Sequence, residues 1–255
     1  MKVRSLLACL CLITSFSLGA NAKKLVGEIQ HSDSLQPVDA ALTPGQIYDP
    51  SKAPFPDKHV NNWYKIPPWL AGTWQKESQT DFYRFNYQTG ETDTTTRVIP
   101  AKSSGTWGTQ IDEKGNIWQF DPAPFTATVD SGDNYVVQLV SISDPVEVSD
   151  DRLIRRSIDT QIRVQKSDNM ITAVEKGEQL TTYLPQSDGL LKRESSAKVF
   201  DKSGKPVLLG RSFSYETRIN AFSPQDIYKG KDMKMLFQLF QKDQSETGSA
   251  TSTTQ

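Results

Sequence analysis

Three arginines fall in phase with apolar residues on segments that read as β-strands. From Arg152 to Lys166 one alternating set is Ile154, Arg156, Ile158, Thr160, Ile162 and Val164. The other is Leu153, Arg155, Ser157, Asp159, Gln161 and Arg163. Alternation predicts that the first set is buried and the second faces solvent. The pattern repeats in Leu191, Arg193, Ser195, Ala197, Val199, and again in Val207, Leu209, Arg211, Phe213, Tyr215, Thr217, Ile219. A guanidinium on a buried face is costly unless a carboxylate, carbonyls, water or an anionic ligand meets it. Arg156, Arg193 and Arg211 are therefore candidate anchors for the head group of an anionic ligand, with Trp107, Trp118, Phe213 and Tyr215 as its apolar wall. The alternative is that each arginine reaches solvent at a sheet rim.

Other chemistry is sparse. The two histidines, His31 and His59, both lie in a proline-rich stretch, and the two cysteines, Cys9 and Cys11, lie near the start. A Ser-His-Asp triad or a histidine metal site has to borrow from that stretch. The glycines are scattered singly at turns, so no phosphate-cradling loop stands out. Asp150-Asp151 and the Glu175/Glu178 pair fall near strand ends or turns, where solvated carboxylates are the default, although a glycosidase-type pair can be built from distant strands. These residues favour binding over catalysis and give no catalytic residue, metal site or cofactor. The densest aromatic cluster runs from Trp63 to Trp74. It can stack on sugar rings, or it can close one end of a barrel with Gly72, Trp74 and Trp69; the second reading is preferred because a barrel end needs a large apolar lid.

The elements that must position these groups follow from the rest of the chain. Its 255 residues carry 29 Lys+Arg against 30 Asp+Glu, a balance that argues against a nucleic-acid binder. Met1–Arg4 is a basic start, Ser5–Gly19 is apolar and small, and Ala20-Asn21-Ala22 offers a small-x-small cleavage site. Residues 1–22 thus read as a secretory signal peptide. Its removal takes both cysteines and two basic residues. With no Asn-x-Ser/Thr sequon either, this points to a bacterial exported protein, periplasmic or secreted. Residues 23–68 hold the proline-rich run and read as an extended arm, either a spacer or a partner-docking peptide. From 69 to 222, short runs rich in Thr, Val, Ile, Tyr and Phe alternate with tight-turn residues such as Ser131-Gly132-Asp133-Asn134 and Ser187-Asp188-Gly189. About eight to ten antiparallel strands are expected, closed as an up-and-down barrel so that no edge is left exposed. Ser223-Pro224 reads as a helix start, and Met233, Leu236, Phe237 and Phe240 form a helical apolar stripe, giving a helical segment at 223–242. A disordered Ser/Thr/Gln-rich tail is expected at 243–255.

Leu70-Ala71-Gly72-Thr73-Trp74 at the start of this meander resembles the first motif of the lipocalin/calycin superfamily, a Gly-x-Trp opening the first strand. The layout of an exported chain, a barrel of tight hairpins and a helix near the C-terminus is similar too. The resemblance implies an all-β, calycin-like barrel forming a cup for small hydrophobic or amphipathic molecules. It also implies an arginine from the last strand packed on Trp74, a role open to Arg218 or Arg211. Gly-Thr-Trp recurs at Gly105–Trp107, and the family's mid-barrel motif and disulfide are absent. The leading expectation is an exported non-catalytic protein that binds a small apolar or amphipathic anion. One alternative is an envelope structural or accessory protein with a filled barrel and a docking arm at 23–68. A barrel isomerase or lyase is the third. No transmembrane segment is expected after signal cleavage.

Overall fold

A computed structural model describes residues 30–52, 63–228 and 230–250. The signal peptide expected at 1–22, His59 and residues 251–255 lie outside these. Strands β1 (Trp63–Ile66), β2 (Gly72–Asn86), β3 (Thr92–Asp93), β4 (Arg97–Trp107), β5 (Gln110–Ile111) and β6 (Ile117–Phe120) form the first half. Then follow β7 (Phe125–Ser131), β8 (Asn134–Val148), β9 (Leu153–Gln165), β10 (Ile171–Ser187), β11 (Leu190–Phe200) and β12 (Pro206–Asn220). A two-stranded hairpin, β13 (Ile227–Tyr228) and β14 (Lys231–Asp232), leads into helix α1 (Met233–Ala250).

The strands from β7 to β12 form an antiparallel meander, each paired with the next, and β12 returns to pair with β2. β3 and β4 lie along the other side of β2. The tight turns seen in the sequence account for this order, because hairpins can join only antiparallel neighbours. The sheet is strongly curled. β4 and β10 are four strand positions apart, about 19 Å in a flat sheet, yet the rings of Trp107 and Tyr183 meet at 4.9 Å in a T-shaped contact.

The sheet does not close, contrary to the closed barrel expected from the meander. Among the described residues β4 pairs only with β2 and β7 only with β8. The segment between them is spent elsewhere: β5 and β6 join β1 in a separate three-stranded sheet. Ile66 and Ile117 of that sheet pack with Leu70, in the turn before β2, and with Trp74, Trp107, Leu153, Tyr183 and Leu191 on the inner face of the large sheet. Its other face presents Trp63, Trp118 and Phe120 to Met233, Phe237 and Phe240 of α1. The apolar stripe of the helix therefore covers the small sheet.

The helix starts later and runs further than expected. Ser223-Pro224 remains outside regular structure, and α1 is capped by Asp232, whose Oδ1 accepts the Met235 N–H at 2.9 Å. It continues through the polar residues after 243 to Ala250. Asp232→Ala is expected to destabilise the protein by about 1 kcal/mol, read as a lower urea midpoint at an unchanged slope.

Residues 31–49 of the arm are not a free spacer. Residues 31–49 lie on the outer face of the large sheet, where Val137, Leu139, Ile162, Val164, Ile171 and Val174 need cover. Leu42, Tyr48 and Val38 supply it. Backbone hydrogen bonds hold the arm in place: Leu35 N to Gly204 O, Val38 N to Lys202 O, and Ile171 N to Gln46 O, at 2.8–3.0 Å. Its first residues are latched by Glu178, a carboxylate with no exposed side-chain surface. Glu178 accepts from Ser32 N (2.7 Å), Ser32 Oγ (3.1 Å) and His31 Nδ1 (3.1 Å), and pairs with Arg156 at 2.5 Å.

Candidate functional site

The register of the meander decides which side chains share a face. Paired residues in adjacent strands point the same way, so Leu153, Tyr183, Arg193 and Ser214 form one row, and Arg155, Thr181, Ser195 and Ser212 the next. These rows are on the inner face with Trp74 and Trp107. Arg156, Leu180, Ser196 and Arg211 form a row on the outer face.

A cleft of about 260 Å³ opens on the inner face beside the gap between β4 and β7. Ser103, Ser104, Gly105, Thr106 and Trp107 of β4 form one wall. Gln119, Phe120, Asp121, Pro122 and Phe125 form the side toward β7, and Arg155, Tyr183, Arg193 and Glu216 converge from β9 to β12. The strands put these groups together because the sheet is curled; along the chain they are spread over more than a hundred residues.

Two ion pairs organise the cleft. Arg155 Nη2 binds the Asp121 carboxylate and Ser143 Oγ, and Ser143 Oγ also donates to Asp121 at 2.8 Å. The Arg155 guanidinium lies over the Trp107 ring at 5.3 Å, which adds a cation–π attraction. Burial works against its charge, but Tyr64, Asp121 and Tyr183 together outweigh that and raise its pKa further, so it stays charged. Arg193 lies over Tyr183 at 5.8 Å and faces Glu216 at 3.6 Å, beyond hydrogen-bond length. Lys76 adds positive charge nearby; burial, and then the field of Arg193, lowers its pKa.

Among the described residues five buried polar atoms have no hydrogen-bond partner: Nε of Arg155, Arg156, Arg193 and Arg218, and the hydroxyl of Tyr64. Burial pushes the Tyr64 phenol well above its ordinary range, so it remains a neutral donor. Among the described residues no cluster of three His, Cys, Asp or Glu could hold a metal ion, and no helix is long and apolar enough to cross a membrane.

Of the residues singled out from the sequence, Trp107 and Arg193 line this cleft. Trp118 instead packs on Phe237 and Phe240 of α1. Arg156 and Arg211 belong to the outer face, the first bound to Glu178 and Ser32 Oγ, the second over the Tyr83 ring at 5.4 Å. Phe213 and Tyr215 follow Arg211 onto that face, where Phe213 meets Phe82 at 6.0 Å and Tyr215 is exposed. The alternation reading therefore needs correcting: the face taken for an interior is buried by the arm, and Arg193 points opposite to Arg156 and Arg211. Arg155, assigned to solvent by alternation, is the central cation of the cleft. Both faces of β9 are covered, with Leu153, Ile162 and Val164 all fully buried, so apolar alternation there carries no direction. Asp121, Ser143 and Glu216 had no sequence signal, since each is a single polar residue in an ordinary strand or loop.

Next to the cleft wall, where Gly105 pairs with Trp74 and Trp107 with Gly72, Trp74 is 2% exposed and donates from Nε1 to Leu70 O at 2.7 Å. Arg218 of β12 lies over its ring at 4.8 Å and donates to Trp69 O at 2.6 Å. Gly72 has φ +128°, and a Cβ there would stand 2.6 Å from Asn220 O, so the position admits only glycine without displacement of β12. Trp69 lies nearer the surface and donates from Nε1 to Asp150 O at 2.6 Å.

Compared with protein-family models, curated proteins and solved structures, the chain matches none of them.

Proposed function

We propose that this chain is a non-catalytic binding protein, exported through residues 1–22 to a bacterial periplasm, that holds a small anionic ligand with an apolar part in the inner cleft. The observation that carries the reading is the pair of arginines, Arg155 and Arg193, that line the cleft beside the rings of Trp107 and Tyr183. Arg155 is committed to Asp121, whereas Arg193 is held loosely by Glu216, so Arg193 is the donor free to take a carboxylate. Trp107, Tyr183, Phe120 and Phe125 offer apolar surface beside it. The return of β12 to β2 and the seating of Arg218 on Trp74 support a calycin-like cup, left open on one side between β4 and β7. The cleft is smaller and more polar than the apolar cup that the resemblance implies, which favours short amphiphiles over long-chain lipids.

Isothermal titration with carboxylates from butyrate to dodecanoate tests this. A binding optimum at short chain length is expected. Arg193→Met should weaken it about tenfold or more, as expected for loss of a charge-assisted hydrogen bond. Equal affinity in the wild type and Arg193→Met, or no heat with any chain length, would overturn the reading. Export is checked separately: expressed from Met1 in a bacterium, the protein should appear in the periplasmic fraction with Lys23 as its first residue.

A further inference from the structure

One wall of the cleft is a strand edge. β4 pairs with β2 through Gly72–Asp81, and among the described residues nothing pairs with its other side. In an antiparallel pair every second residue turns its N–H and C=O away from the partner, so the outer edge of β4 presents a row of unfilled donors and acceptors. Edges of this kind are normally blunted by charge, proline or cover. Where β4 passes the cleft it is Ser103-Ser104-Gly105-Thr106, which has neither charge nor proline. A side chain built on Gly105 would meet nothing within 4 Å, so the sheet face beside this edge is open there. On the facing side the chain entering β7 carries Pro122 and Pro124, which have no N–H to offer. β4 is therefore the edge able to accept a strand along the cleft.

The same cleft holds the cations. A strand added at Ser103–Thr106 brings its end toward Arg193, which faces Glu216 only at 3.6 Å, with Arg155 and its partner Asp121 beside it. This chemistry matches one ligand class that a fatty acid does not satisfy, because a fatty acid fills no backbone donors. We infer that the ligand is the C-terminal segment of an extended peptide. It adds as a strand to β4, its terminal carboxylate is taken by Arg193, and its last side chain lies against Trp107. The inference rests on the proposed anion-binding role of the cleft and names its ligand. Main-chain pairing supplies affinity and the carboxylate supplies direction, the division of labour seen when strands add to sheet edges.

The test uses the peptide acetyl-Lys-Thr-Val-Thr-Val-Phe with a free carboxylate, its carboxamide, and two versions N-methylated at alternate residues in opposite phases. Each is titrated calorimetrically into the full chain, with octanoate as a separate probe. The acid should bind at least tenfold more tightly than the amide. One N-methyl phase should lose at least tenfold and the other little, because only one set of N–H groups meets β4. Amide hydrogen exchange at Ser103–Thr106 should slow in the complex and not with octanoate. Octanoate binding without peptide binding overturns the inference and leaves the anion site standing, as does equal binding of acid and amide or no slowing at Ser103–Thr106. Failure of both probes overturns both.

Discussion

Glu178→Ala should lower the stability of the protein by about 3 kcal/mol, the lower end of the range for breaking a buried ion pair. The lower end applies because Arg156 keeps 35% of its side chain exposed and can turn to water. Ser32 N–H loses its acceptor, and His31, with only 12% of its side chain exposed, loses the carboxylate at Nδ1. The carboxylate also orders the arm indirectly, since Lys198 Nζ donates to Ser32 O at 2.7 Å and Ser196 Oγ donates to His31 Nε2 at 2.9 Å. Thermal unfolding should shift down by roughly 6–12 °C for a chain of this size. Limited proteolysis should cut within residues 31–49 well before the sheet. An unchanged midpoint with the arm still protected would show that Glu178 does not hold it.

The same latch makes the arm sensitive to acid. Burial lowers the His31 pKa below its ordinary 6.5 despite the neighbouring carboxylate. The unfolded chain therefore takes up the proton first, and stability falls as pH drops below 6.5. Burial by itself would raise Glu178. Ser32 N–H, Arg156 and His31 together outweigh it and hold the carboxyl below its ordinary 4.5. Its contribution is complete above 4.5 and is lost as pH falls below that value. Both groups act in one direction, so protection of residues 31–49 should decrease steadily from pH 7 to pH 4.

Trp74→Ala is expected to cost about 4 kcal/mol, within the range for truncating a buried large aromatic side chain. The indole is 2% exposed and fills the space between Leu70, Trp107, Leu153 and Leu191. Its loss also leaves Leu70 O without its donor and Arg218 without the ring beneath it. A domain of ordinary stability holds only about 5–15 kcal/mol in all, so this single change brings the protein close to its unfolding threshold at physiological temperature. Arg218→Ala should cost less, and the double variant should show about 0.5–2 kcal/mol of coupling from the cation–π contact. A loss below 1 kcal/mol for Trp74→Ala, or strict additivity with Arg218→Ala, would remove this pair from the centre of the inner core.

The turns were legible because they are written in local chemistry. Ser131–Asn134 and Ser187–Gly189 lie at the tips of hairpins joining β7 to β8 and β10 to β11, and the antiparallel meander follows from them. Gly72 and Trp74 were legible for a related reason: a glycine forced by close approach of β12 and a buried indole leave a recognisable tripeptide. The helical stripe at Met233, Phe237 and Phe240 also stood out, although its cap did not. Asp232 and Ser223 are equally good capping residues in isolation, and the hairpin closed by β13 and β14 decides between them.

The site was legible only in part. Arg193 and Trp107 could be named, but Arg155 was given to solvent and Arg156 to the interior. Neighbouring arginines on one strand always take opposite faces, and the sequence offers no rule for which face is inside when both are covered. That assignment depends on the arm, whose Leu42 and Tyr48 bury the outer face from far away in the chain. It depends equally on the curl that brings Trp107 to Tyr183 across four strand positions.

Local periodicity and turn chemistry thus determined the all-β, antiparallel class of fold, the meander from β7 to β12 and the position of the Gly-Thr-Trp corner. Tertiary structure decided that the sheet stays open between β4 and β7, because residues 108–124 form the small sheet with β1 rather than bridging the gap. That opening makes the cleft, exposes the edge of β4 and turns Arg155 and Arg193 into a pair. Such long-range pairing follows from which surfaces bury one another, and no window of the sequence contains it.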